Sequence, residues 1–244
     1  MKKINIYFTA GAPQLDDTGK IAKIIQDSGA DMMEIGIPYS DPVADGPIIQ
    51  DAHLLALKNG MTITKLFEQL LEIKNSVTIP KVLMGYINPV LQFGFEKFCR
   101  KCQEVGVSGL IIPDLPAFEF EKQYGKILEK YSINFSFLVT PETSEERIKY
   151  LDSLSSGFLY AVSSSSTTGN ANATLKNVDY LSRLASLNLK NPVYVGFGIK
   201  NKQDFDSVTE NLQGGIIGTA FVKVLLENKN WESEASNFVK SILS

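Results

Sequence analysis

The chain has 244 residues, 44% of them apolar and 21% charged, which are the proportions of an ordinary folded protein and exclude a disordered one. Its 24 Lys and Arg stand against 27 Asp and Glu, a net charge of -3, so no basic excess exists to neutralise a nucleic-acid backbone. The apolar runs, such as Leu159 to Val162, fall far short of the roughly 18 residues that span a bilayer, and Ile4 to Phe8 behind Lys2-Lys3 is too short for the apolar region of a signal peptide. A soluble, cytoplasmic chain forming one domain over residues 1–244 is the expectation.

Ile4 to Phe8 predicts a first strand, followed by Thr9-Ala10-Gly11-Ala12-Pro13 and a helix carrying Ile21, Ile24 and Ile25. That helix stops at Gly29, and a second apolar run with Met32, Met33 and Ile35 begins at once. The same punctuation recurs. Val82 to Met84, Leu110 to Ile112, Phe135 to Val139, Phe158 to Val162, Val193 to Val195 and Ile216-Ile217 are further short runs. Between them lie helical spacings, for example Ile63, Leu66, Phe67, Leu70 with Leu71, and Leu181, Leu184 with Leu187. Short runs apolar on both faces, alternating with helices, predict parallel strands covered by helices. Eight such units of about 30 residues match an α/β fold of the (β/α)₈ TIM-barrel type. An open doubly wound sheet would carry G-x-G-x-x-G after the first strand, and none stands there.

Cys99 and Cys102 form a C-x-x-C, but they share one helical face with Phe95, Phe98 and Val105, which reads as a buried apolar stripe. The single histidine, His53, is distant in sequence, so no metal-ligand set is expected. Two connections are too long to be plain turns: Pro38 to Pro47 after the second strand, and Ser163 to Thr174 after the sixth. Both emerge at the C-terminal face of a barrel, where active sites are built.

The chemistry concentrates at that face. Gly196-Phe197-Gly198 ends the seventh strand and Gly218-Thr219-Ala220 the eighth, the place where barrels cradle phosphate on backbone N–H groups, with Gly169 as a third approach. Glu34 interrupts the apolar second strand and should point into the barrel mouth, where burial raises its pKa into the range useful for proton transfer; the alternative is a structural ion pair with an inward lysine. Asp41 and Asp45 follow on the loop, where aspartate also forms turns. Asp114 and Tyr160 read equally as structural or as pocket residues. Residue chemistry alone therefore leads to a barrel enzyme acting on a phosphorylated small molecule by metal-free carboxylate acid–base catalysis, with an isomerase or epimerase as one option.

The stretch Glu34 to Gln50, EIGIPYSDPVADGPIIQ, closely resembles the signature of the tryptophan synthase alpha chain family. The similarity continues through Phe8 to Gly11, Leu83 to Pro89, Ile112 to Pro116, Thr168-Gly169, Val195 to Ile199 and Gly218 to Lys223, in the family's order and over nearly the whole chain. The resemblance implies retro-aldol cleavage of indole-3-glycerol phosphate to indole and D-glyceraldehyde 3-phosphate. It also implies a beta chain in an α₂β₂ heterotetramer, with pyridoxal phosphate in that partner and no cofactor here. A stand-alone lyase releasing free indole is the alternative. By motif position Glu34 and Asp45 match the family's catalytic carboxylates and Tyr160 its pocket tyrosine. Gly169, Gly198, Gly218 and Thr219 match the phosphate cradle. Phe8, Ile49, Met84, Ile111, Leu138 and Phe197 are expected to wall the indole ring. Thr168 matches a lid threonine that bonds the carboxylate equivalent to Asp45. The sequence departs from the family pattern at Ala12, where aspartate is frequent, and in the sixth loop at Ser164 and Ser166. The first strand begins almost at Met1, where the family usually has a helix first, so the barrel bottom is expected to be less covered.

Overall fold

The computed structural model describes residues 2–162, 171–196 and 198–244, and of 171–177 it describes the backbone only. Eight strands follow one another: β1 (Lys3–Thr9), β2 (Met32–Gly36), β3 (Lys81–Met84), β4 (Gly109–Ile111), β5 (Asn134–Phe135 continuing in Leu138–Val139), β6 (Leu159–Val162), β7 (Val193–Gly196) and β8 (Gly214–Ile217). Every strand pairing is parallel, and β1 lies between β2 and β8. The two segments of β5 close the ring, the first pairing with β4 and the second with β6. Between them Ser136 N–H donates to the Leu110 carbonyl and Tyr160 N–H to that of Phe137. The eight apolar runs are these eight strands, closed into a TIM barrel.

Strand alternation sorts the side chains into two layers. Ile4, Ile6 and Phe8 of β1, Met33 and Ile35 of β2, and Leu83 of β3 face outward and pack with Ile21, Ile25, Leu66, Leu70 and Phe98 of the covering helices. The opposite parity fills the barrel: Val82, Ile111, Phe158 and Ile216 form an inner cluster, with Met32, Met84, Leu138, Tyr160 and Tyr194 against it. Both faces of each strand are thus apolar, which is why the runs read as continuous rather than alternating. Cys99 and Cys102 are fully buried on the helix Phe95–Val105, where burial pushes the Cys99 thiol up to about 12, as the stripe reading expects.

After β2 the chain runs to the helix Pro47–Lys58, whose first residue is the proline of the signature, with its missing N–H at a position that needs none. After β8 the helix Thr219–Glu227 starts at once behind Gly218, with no side chain capping its N-terminus. Its first N–H groups are left for a ligand.

Candidate active site

A cavity of about 710 Å³ opens at the C-terminal ends of the strands. Tyr7, Met84, Tyr160 and Ile216 come to it from the barrel interior, Asp45, Ile48 and Ile49 from the loop and helix after β2, and Gly198, Gly218 and Thr219 from the ends of β7 and β8. One side is therefore apolar and aromatic, and the other is backbone and glycine. A site of this size, apolar with a few convergent polar groups, suits a small organic molecule.

Glu34 is fully buried in β2, beside Tyr7 in the strand register. Burial pushes its carboxyl up to about 8, although a hydrogen bond from Asn5 Nδ2 to Oε1, 2.6 Å long, pulls in the other direction. Its other oxygen, Oε2, has no partner among the described residues. The structural alternative, an ion pair with an inward lysine, is not found among the described residues, of which the one buried lysine, Lys81, donates to the Val77 carbonyl and has the outward parity of Leu83. A carboxyl that stays protonated near neutrality and has one oxygen uncommitted is equipped to give and take a proton.

Asp45 is fixed from its own loop and from the turn after β3. The Tyr86 hydroxyl donates to Asp45 Oδ2 at 2.8 Å and accepts the Ala44 N–H at 2.9 Å, which pins the loop backbone beside the carboxylate. Burial raises Asp45, offset in part by the Tyr86 bond. His53 stands behind it, with Nε2 3.6 Å from Oδ2 and 3.3 Å from the Tyr7 hydroxyl. His53 Nδ1 accepts the Tyr39 N–H, so the neutral ring carries its proton on Nε2. Burial pushes His53 down to about 4, which keeps it neutral at pH 7. Tyr7 and Tyr160 feel both carboxylates, and burial holds both phenols far above their ordinary range.

At the far end of the cavity, Gly198 adopts φ +48, a backbone shape that a side chain would strain, and Gly218 precedes the uncapped helix. Lys200 and Lys223 stand at the rim. Backbone N–H groups, a helix N-terminus and two cations suit a phosphate dianion.

Of the sequence candidates, Asp45, Tyr160, Ile49, Met84, Gly198, Gly218 and Thr219 all line the cavity. Glu34 lies beneath it rather than in its wall. Phe8 requires a correction: it is fully buried in the layer between sheet and helices, because its parity on β1 is outward. Its neighbour Tyr7 occupies the wall instead. Ile111 and Leu138 belong to the inner cluster, and neither reaches this cavity. Leu138 instead faces a smaller crevice with Asp114 and Arg147. Thr168, Gly169 and Phe197 lie outside the described residues. Sequence reading missed Tyr7, Asn5, Tyr86 and His53. Strand parity counted from Glu34 through the barrel register was the signal that could have found the first two.

A family model described as "Tryptophan synthase alpha chain" matches residues 2–242. The chain belongs to the tryptophan synthase alpha chain family. It is 51% identical over 242 residues to the tryptophan synthase alpha chain of Christiangramia forsetii, covering 99% of this chain and 94% of that one. To the alpha chain of Flavobacterium psychrophilum it is 50% identical, with 99% and 95% covered. A chain of the tryptophan synthase complex from Pyrococcus furiosus superimposes with a TM-score of 0.89 at 32% identity, over 100% of this chain and 99% of that one. Among the described residues no helix is long and apolar enough to cross a membrane.

Proposed function

We propose that the cavity binds indole-3-glycerol phosphate and that Glu34 and Asp45 carry its retro-aldol cleavage to indole and glyceraldehyde 3-phosphate, the carbon–carbon lyase reaction of the alpha chain family. The observation that carries the assignment is one cavity with an apolar wall, the Asp45 carboxyl and a glycine-lined helix N-terminus, with the buried Glu34 carboxyl beneath it. The indole lies between Tyr7, Ile49, Met84 and Tyr160, and the phosphate rests on Gly198, Gly218 and Thr219. Cleavage needs a proton on C3 of the indole and removal of the proton from the glycerol C3′ hydroxyl. Glu34, protonated near neutrality, delivers the first and as a carboxylate takes the second. The intermediate is cationic around the ring nitrogen, and the carboxylate of Asp45, held by Tyr86, stabilises that charge without having to reorient.

The partner is a tryptophan synthase beta chain, which joins the released indole to serine. Val43, on the loop after β2, is 83% exposed, and Phe118, on the short helix Ala117–Glu119 that follows β4, is 64% exposed. Two apolar side chains presented to solvent on the connections after β2 and β4 support docking there. We assign pyridoxal phosphate to the beta chain alone, the α₂β₂ assembly to the working enzyme, one barrel domain to residues 1–244, and the cytoplasm as its compartment.

Indole release from indole-3-glycerol phosphate, measured with and without beta chain, tests this reading. Glu34→Gln is expected to lose about 10²–10⁴-fold in rate. Activity within threefold of wild type would remove Glu34 from the mechanism. Failure of a beta chain from the same source to bind or activate at micromolar concentration would make the chain a stand-alone lyase.

A further inference from the structure

Asn5 is a polar residue in an apolar place. It is fully buried on β1, opposite Ile216 of β8 in the register, with the inward parity of Tyr7. Its Nδ2 donates to Glu34 Oε1, while its own Oδ1 is buried with no partner among the described residues, as is Glu34 Oε2. A leucine has nearly the same shape and would leave no carbonyl oxygen unpaired. Fold stability therefore gives no reason for an asparagine here, and the reason has to lie in Glu34.

A primary amide has a donor and an acceptor at equivalent distances from its carbon, and its terminal torsion is broad and roughly two-fold. The NH₂ end serves a carboxylate. After a half-turn, the carbonyl end accepts the hydroxyl of a carboxylic acid. An ionised aspartate offers only acceptors, a lysine only donors and a leucine neither.

We infer that Asn5 is a positioning residue for Glu34, bonding its carboxyl in both the ionised and the protonated form, so that the proton passes to the substrate and returns without the carboxyl losing its partner. The inference rests on the reading of Glu34 as the acid–base group. The groups around Glu34 leave this task to Asn5. β1 presents the Tyr7 phenol and β6 the Tyr160 phenol, and both hold their protons. The loop after β2 presents the Asp45 carboxylate, β3 presents Val82 in register and β8 presents Ile216. Among the described residues no cation acts on Glu34: burial and the Asn5 bond are the influences on its ionisation.

Asn5→Leu and Asn5→Asp, made in the full chain and assayed with beta chain present, test the inference. The readouts are the pH dependence of kcat, KM for indole-3-glycerol phosphate, thermal unfolding, and the Glu34 carbonyl stretch followed against pH by infrared difference with Glu34→Gln. In Asn5→Leu the Glu34 titration and the alkaline limb of kcat are expected to move up together by about one pH unit or more. The rate at pH 7, where Glu34 is already mostly protonated, should change much less than the rate above pH 8, with KM within about threefold and Tm no lower than wild type. In Asn5→Asp the paired carboxyls should share one proton, again moving the limb upward; this variant decides the matter if Asn5→Leu does not fold. A Glu34 titration unchanged in the folded variant overturns the inference, whether or not activity falls. Should Glu34→Gln itself stay active, the catalytic reading fails, and the infrared titration still reports separately whether Asn5 governs the ionisation of Glu34.

Discussion

Replacing Glu34 by Gln should weaken catalysis and strengthen the fold, and the second effect should depend on pH in a way that the structure fixes. In the unfolded chain the carboxyl titrates at its ordinary 4.5, and in the folded barrel at about 8. Below 4.5 it is protonated in both states and contributes no pH dependence. Between the two values the unfolded chain has released a proton that the folded chain keeps, so folding must take one up, and stability falls by about 1.4 kcal/mol per pH unit. Above 8 both states are ionised and the loss levels off near 5 kcal/mol, an order-of-magnitude figure from that same factor. Because Glu34 is fully buried, solvent screening does little to reduce this loss. Glutamine does not titrate, and whatever hydrogen bond it makes with Asn5 is the same at every pH. Between pH 5 and pH 8 the Glu34→Gln protein should therefore gain about 4 kcal/mol on the wild type. At roughly 2–4 °C per kcal/mol for a chain of this size, the gap in Tm should widen by about 8–16 °C. Thermal unfolding of both proteins in matched buffers across that range measures it. A gap that stays constant with pH would show that Glu34 is ionised in the folded state at neutrality, and the acid–base assignment would go with it.

Asp45→Asn should lower kcat far more than it raises KM, since the lost charge acts on the intermediate; steady-state kinetics showing a rise in KM alone would end that role. Gly218→Ala should fold normally, because a Cβ there meets Tyr7 and Ile49 at ordinary contact distances of 3.5 and 3.6 Å, yet it crowds the phosphate end. Calorimetry with glycerol 3-phosphate is expected to show weaker binding, and unchanged affinity would move the phosphate elsewhere. Phe8→Ala should cost about 3–5 kcal/mol of stability as a core truncation, whereas Tyr7→Leu should act mainly on KM; kinetic and unfolding data with these effects exchanged would reverse the parity assignment. Val43→Asp and Phe118→Asp should weaken beta-chain association on analytical sizing and leave the isolated chain's Tm within about 1 °C, as exposed positions do.

Eight short runs such as Val82 to Met84, apolar on both faces and spaced by helical segments, permit few architectures, because parallel strands must be covered on each side. Glu34, a charge within such a run, and Gly198 and Gly218 at two successive strand ends were visible for the same reason: each breaks a pattern that local physics otherwise enforces. Which way a side chain faces is another matter. Phe8 and Tyr7 are adjacent and both aromatic, and only the register of β1 against β2 and β8 turns Tyr7 into the cavity and Phe8 toward the helices. Tyr86 and His53 come to Asp45 from the turn after β3 and from the helix after β2, and Asn5 reaches Glu34 across 29 positions of sequence. The sequence by itself determined the barrel, the reaction family and the residues that interrupt local patterns. Tertiary structure alone decided the partners of those residues, because desolvation and hydrogen bonding act between neighbours in space, and closing the barrel is what makes them neighbours.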